Sequence, residues 1–217
     1  MIMSLANLAA ELIGDIHKSK SKYDDKIDEI TKSFDDISTF KQQTDLTKTN
    51  SMVSSCKVQL RNLSAEVITR LHDFQVNVIA VGLETNDPAK QDAAIKALLK
   101  ETKNLDATLV KLKELYKMSF KLLEVISENK SKSKDKQDIE YFKNMYSAVE
   151  LMHKHAEHEI NTWVDGIEKL YSAVFHKMLE TPFVADRVPK EVEELKVRLK
   201  KIEKSEGTLA KVWRALH

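Results

Sequence analysis

Apolar residues return along this chain in alternating steps of three and four, almost without interruption from Leu5 to Leu216. One stretch reads Ile95, Leu98, Thr102, Leu105, Leu109, Leu112, Tyr116, Ser119, Leu123, Ile126. Another reads Ile139, Phe142, Tyr146, Val149, His153, Ala156, Ile160, Trp163, Ile167, Leu170, Val174. That spacing lays an apolar seam along a helix and requires a second helix to cover it. The pattern predicts an all-α protein, an elongated antiparallel bundle of about five long heptad-patterned helices in one domain spanning residues 1–217.

The helices are predicted over roughly 4–42, 50–84, 88–129, 135–180 and 189–216. The first is a candidate for a break near Lys18–Lys22. The polar run Gln43–Ser51 reads as a joint, because its hydroxyl and amide side chains compete for backbone hydrogen bonds. Asp87 followed by Pro88 is a firm helix start: the carboxylate caps free N–H groups, and proline suits the first helical position. Asn129–Lys134 is too polar to bury a face. Thr181-Pro182 ends the fourth helix, since the residue before proline is pushed out of helical geometry. Lys18-Ser-Lys-Ser-Lys22 recurs as Lys130-Ser-Lys-Ser-Lys134, an echo that shared heptad spacing is enough to produce.

Composition narrows the function classes. With 35 Lys and Arg against 34 Asp and Glu, the chain lacks the net basic charge of a dedicated nucleic-acid binder. Local charge is less even. Residues 88–133 hold ten Lys and six acids, for +4; 134–182 hold six and nine, for −3; 183–217 hold nine and six, for +3. Neighbouring helices of opposite sign suit an antiparallel bundle. Cys56, the single cysteine, falls on the seam Val53, Cys56, Leu60, Leu63, Val67, where a thiol packs as a small apolar group. No stretch is apolar for the ~18–20 residues of a membrane span. Met1–Ile16 has no basic start and is interrupted by Glu11 and Asp15, unlike a signal peptide. A cytoplasmic protein is expected, with export by a route lacking a cleaved signal as the alternative.

Few residues carry chemistry. Glu150 and His153 have the Glu-x-x-His spacing of di-metal bundles, but the second such pair those sites need is missing. His155, His158 and Glu159 share another face and could offer three ligands to one metal, although a lone helical histidine cluster usually reads as a solvated surface. No glycine-rich phosphate loop, nucleophile elbow or zinc spacing occurs. The expectation is therefore no enzyme activity, no cofactor, no metal and no small-molecule substrate. His153 falls on the seam itself and is the candidate for a pH-sensitive core position, since burial disfavours a charged imidazole.

The first sixteen residues carry the strongest functional signal. Ser4, Asn7, Glu11, Asp15 and Lys18 make one narrow polar stripe on a helical wheel. Met1, Ile2, Met3, Leu5, Leu8, Leu12, Ile13 and Ile16 fill a much wider apolar face. Either several helices cover that face or it meets a membrane interface, with Lys18, Lys20 and Lys22 near anionic headgroups. Glu11 and Asp15 favour burial in the bundle. The run Phe74, Val76, Val78, Ile79, Ala80, Val81, Leu83 is a second candidate contact, enclosed by neighbours or forming a short membrane-inserting tongue.

Two functions follow. The leading expectation is a structural or interaction protein acting through helix–helix association, with itself or with a protein partner. The alternative is a membrane-active bundle, a bilayer-binding scaffold or pore-forming component. Its contacts would be Met1, Ile2, Leu5, Leu8, Leu12, Ile13, the three lysines, Phe74, Val78 and Val81. In shape the bundle looks like crescent-shaped membrane scaffolds, helical pore-forming toxin components and bundle modules of cytoskeletal or effector proteins, an analogy of architecture alone.

Overall fold

The structure, a computed structural model, describes residues 5–33, 44–77, 79, 87–179 and 197. Among them the chain forms four helices and no strand: α1 (Leu5–Lys32), α2 (Thr44–Phe74), α3 (Pro88–Lys132) and α4 (Lys136–Leu179). The protein is an all-α helical bundle. The fifth helix expected over 189–216 lies outside the described residues, apart from the exposed Val197. So do Met1, Ile2, Val78, Val81 and the expected extension of the first helix past Ser33.

The helix signals act as their chemistry demands. The Asp87 carboxylate accepts from the Ala89 N–H at 3.0 Å and starts α3. Asp135 does the same for α4, accepting from Gln137 N–H at 2.7 Å. Between α3 and α4 only Ser133, Lys134 and Asp135 are non-helical. Two expectations need correction. α1 runs unbroken through Lys18–Lys22, where Lys20 pairs with Asp24 one turn on at 2.7 Å and Ser19 turns inward. α2 begins at Thr44, inside the supposed joint, because Leu46 and Thr49 are buried and the Thr49 hydroxyl accepts from the Asn129 amide of α3. Tertiary contact overrides local propensity there.

The chain divides into two compact units, one of Met1–Gly14, Thr69–Leu105 and Asn161–His217, the other of Asp15–Ile68 and Asp106–Ile160. In the first, Ala9, Leu12 and Ile13 of α1 are buried, as are Leu71, Phe74 and Ile79 and, on α4, Leu170 and Val174. The Gln75 amide donates to the Ala6 carbonyl at 3.3 Å. A Cβ added at Gly166 would collide with the Leu12 side chain of α1, which would have to turn aside.

The second unit is a closed ring of four helices, each antiparallel to its neighbours. Asp24 and Asp28 of α1 meet Arg61 and Lys57 of α2. Glu66 of α2 accepts from Thr108 of α3 at 2.8 Å. Ser119 of α3 meets His153 of α4, and His155 of α4 stacks on Tyr23 of α1. Ile16, Ile27, Val53, Cys56, Leu60, Leu112, Leu122, Ile126, Phe142, Met145, Val149 and Met152 fill the interior. Each fully buried side chain of this size contributes about 1.5–3 kcal/mol. Burial pushes the Cys56 thiol up to about 11, which keeps it protonated and inert.

The buried stripe of α3 runs Thr108, Leu112, Leu115, Ser119, Leu122, Ile126. It shares Leu112, Ser119 and Ile126 with the seam read along the sequence but takes Thr108, Leu115 and Leu122 where that seam has Leu109, Tyr116 and Leu123. Leu109, Tyr116 and Leu123 consequently sit at its margin, half-buried.

Candidate functional site

Between the exposed faces of α3 and α4 in the second unit lies an open groove of about 500 Å³. Its α3 side is built from Phe120, Leu123, Glu124, Ser127, Glu128 and Ser131, a face generated by steps of three and four along the helix. α4 contributes Tyr146. Phe120 is 53 % exposed and Tyr146 38 %, so two aromatic side chains stand at the rim with Leu123 half-buried beside them. Glu124 and Glu128 give the groove its charge. Lys132 pairs with Glu128 at 2.6 Å, and this bond draws the Glu128 carboxyl below its usual range. Sequence periodicity set Tyr146 on the buried seam and passed over Phe120. The signal for the groove was there: a large aromatic ring one residue off the heptad, next to the small Ser119.

Behind this groove His153 closes the α3–α4 seam. Its Nδ1 lies 2.9 Å from Ser119 Oγ, whose hydroxyl donates to the Tyr116 carbonyl at 2.7 Å. Which of the two carries the proton they share follows the imidazole tautomer. Tyr116 stacks on the imidazole at 4.1 Å, and Phe120 tilts against it at 6.1 Å. Burial holds the His153 pKa below its ordinary 6.5; Glu157, the Tyr116 carbonyl and Glu150 pull the other way without prevailing, and Lys154 adds to the depression. Ser119 is buried, and its hydroxyl also reaches the Tyr116 backbone carbonyl.

His155 and Glu159 correct the picture of a solvated histidine cluster. His155 is 0 % exposed and Glu159 3 %. Nε2 and Oε1 approach to 2.9 Å without the alignment of a hydrogen bond, and neither side chain makes one among the described residues. The contact is thus coulombic when His155 is charged and dipolar otherwise. Tyr23 stacks face to face on His155 at 4.6 Å, tilted by 5°. His158 is exposed on the outer side of the same helix. Among the described residues no three His, Cys, Asp or Glu side chains converge as metal ligands. A run of Met145, Ala148, Met152, His155 and Glu159, again spaced three and four, marks this second buried stripe of α4.

The N-terminal residues separate as an amphipathic helix should. Ala9, Leu12, Ile13 and Ile16 are buried and Leu5 and Leu8 half-buried, whereas Asn7, Glu11, Asp15, Lys18 and Lys22 are exposed. Lys20, half-buried, is held by Asp24. Arg61 stands 2.7 Å from Asp28 and 3.4 Å from Asp24; the latter spacing is an attraction without an aligned hydrogen bond. Burial alone would raise the Asp28 carboxyl, but Lys57 and Arg61 outweigh it and hold the pKa below 3.8. Phe74, a candidate contact, is fully buried; Val76 near it is exposed. No described helix is long and apolar enough to cross a membrane.

Compared with protein-family models, curated proteins and solved structures, the chain matches none.

Proposed function

We propose that the protein is a non-enzymatic interaction module working through helix–helix association, with the α3–α4 face of its second unit as the contact surface. The observation that carries this is the pair of exposed aromatic rings, Phe120 and Tyr146, across an open groove. Aromatic side chains are enriched where proteins meet, since they bring large contact area at low conformational cost. The inward-turned face of Ala9, Leu12, Ile13 and Ile16 supports a protein-binding role over a membrane-active one, because a helix committed to its own bundle has no apolar face to lend a bilayer.

Deleting residues 1–16 tests this choice. The truncated chain is expected to lose several kcal/mol, at about 25 cal/mol per Å² of apolar surface uncovered, and to aggregate. The full chain is expected not to sediment with anionic liposomes. A truncated chain that melts normally, together with a full chain that binds liposomes and loses that binding on truncation, would replace the proposal with the membrane-active alternative.

A further inference from the structure

Resting on that proposed role, the geometry points to a basic amphipathic helix of a partner protein as the occupant of the α3–α4 groove. The α3 side runs from Phe120 to Ser131, about 16 Å at 1.5 Å per residue, or three helical turns. That length matches the anchors at i, i+3 or i+4, and i+7 by which an amphipathic helix seats in a groove. Phe120 and Tyr146 would grip an apolar anchor between them, with Leu123 beneath it.

Charge selects among occupants. Glu124 and Glu128 both line the groove, and Glu124 has no ion-pair partner among the described residues. Among the described residues Glu128 is held by Lys132 alone, in a pair whose side chains are both mostly exposed and therefore exchangeable for a partner's cation. In a two-fold dimer using this groove, the same patch faces itself, so the carboxylates of one copy would oppose those of the other. An anionic lipid surface meets the same repulsion. A helix carrying Lys or Arg one turn from its apolar anchor satisfies the aromatic rim and both carboxylates together.

The test uses the full chain and a dye-labelled, 18-residue synthetic helix of leucine and lysine, with a leucine–glutamate counterpart of identical pattern, read by fluorescence anisotropy. The Leu/Lys helix should bind and the Leu/Glu helix should not, with affinity falling as salt rises. Phe120→Ala should weaken binding by about tenfold or more, the scale of an aromatic hot spot. The double variant Glu124→Lys/Glu128→Lys should reverse the preference toward the Leu/Glu helix. Val58→Ala, an exposed apolar position on α2, should leave affinity unchanged. Circular dichroism checks that every variant is folded, and the exposed glutamates give a test independent of Phe120 packing.

Equal binding of both helices, or binding indifferent to Phe120→Ala and to the charge reversal, overturns the inference. A dimer of the chain alone that Phe120→Ala dissolves in sedimentation velocity overturns it too, in favour of a second copy, while sparing the helix–helix role. Groove-dependent binding to phosphatidylserine vesicles with neither peptide bound would overturn both.

Discussion

His153 and His155 stand two residues apart on one helix and meet opposite fates. His153 turns to α3, reaches a hydroxyl partner and keeps part of its ring in solvent. His155 turns to α1 and is sealed between Tyr23 and Glu159, with no aligned hydrogen bond among the described residues. A helix in a closed ring of four has two seams, and the ~100° between successive residues throws close neighbours onto different ones. The α3–α4 seam satisfies its polar group near the rim. The α1–α4 seam encloses a polar pair in the interior, where an unpaired group costs about 1–3 kcal/mol and packing must offset it.

The largest expected effect is at the enclosed pair. Glu159→Ala should destabilise by about 2–5 kcal/mol, because it opens a cavity in the interior and leaves the buried imidazole without its polar neighbour. The double variant His155→Leu/Glu159→Leu should lie closer to the parent than that single change, because both desolvated groups leave together. Urea unfolding reads both. On the other seam Ser119→Ala should cost only about 1 kcal/mol, since the half-exposed His153 can turn to water. Equal losses at Glu159 and Ser119 would erase the contrast between the seams.

Leu112→Ala should cost about 2–5 kcal/mol, as for a buried leucine whose cavity cannot fully collapse. Leu109→Ala should cost distinctly less, because the buried stripe takes Thr108 in its place. If Leu109 proves the more costly, α3 faces its neighbours as the bare heptad implies.

A glycine pair sharpens the contrast further. Gly166→Ala drives a methyl into Leu12, an overpacking of roughly 1–3 kcal/mol partly offset by about 1 kcal/mol of helix propensity. A net loss is expected in thermal melts. Gly14, inside α1, has nothing within 4 Å of an added Cβ, so Gly14→Ala should stabilise by about 0.5–1 kcal/mol.

The smallest effect is a pH dependence. With the folded pKa of His153 below 6.5, the folded state prefers the neutral ring. Its contribution is complete above 6.5 and diminishes as pH falls from there toward the folded pKa. His153→Leu should flatten stability in that window, while the loss from Asp28 begins only as pH falls below about 3.8. An unaltered profile as pH falls below 6.5 would show that His153 does not sense protons.

Periodicity revealed the fold because long helices repeat one signal many times, and capping chemistry at Asp87-Pro88 is local. It misled wherever a second neighbour counted. A single seam describes a helix facing one partner, whereas α4 faces two, so Met145, Met152, His155 and Glu159 were left off it. Thr49 looked like a joint because its partner, Asn129, lies on another helix. The groove was hidden for a related reason: exposure of Phe120 depends on how far α3 is rotated, which the heptad fixes only to within one position.

The three-residue link from α3 to α4 also orders events in time. Contacts such as Ser119 with His153 close a short stretch of chain, at little loss of entropy, while Tyr23 can reach His155 only after most of the chain lies between them. Folding rates follow that difference in sequence separation. The α3–α4 hairpin, like the α1–α2 pair joined by Asp28 and Lys57, is thus expected to form early and the α1–α4 seam to close last. The surface proposed to greet a partner is then already assembled before the barrel of helices has shut.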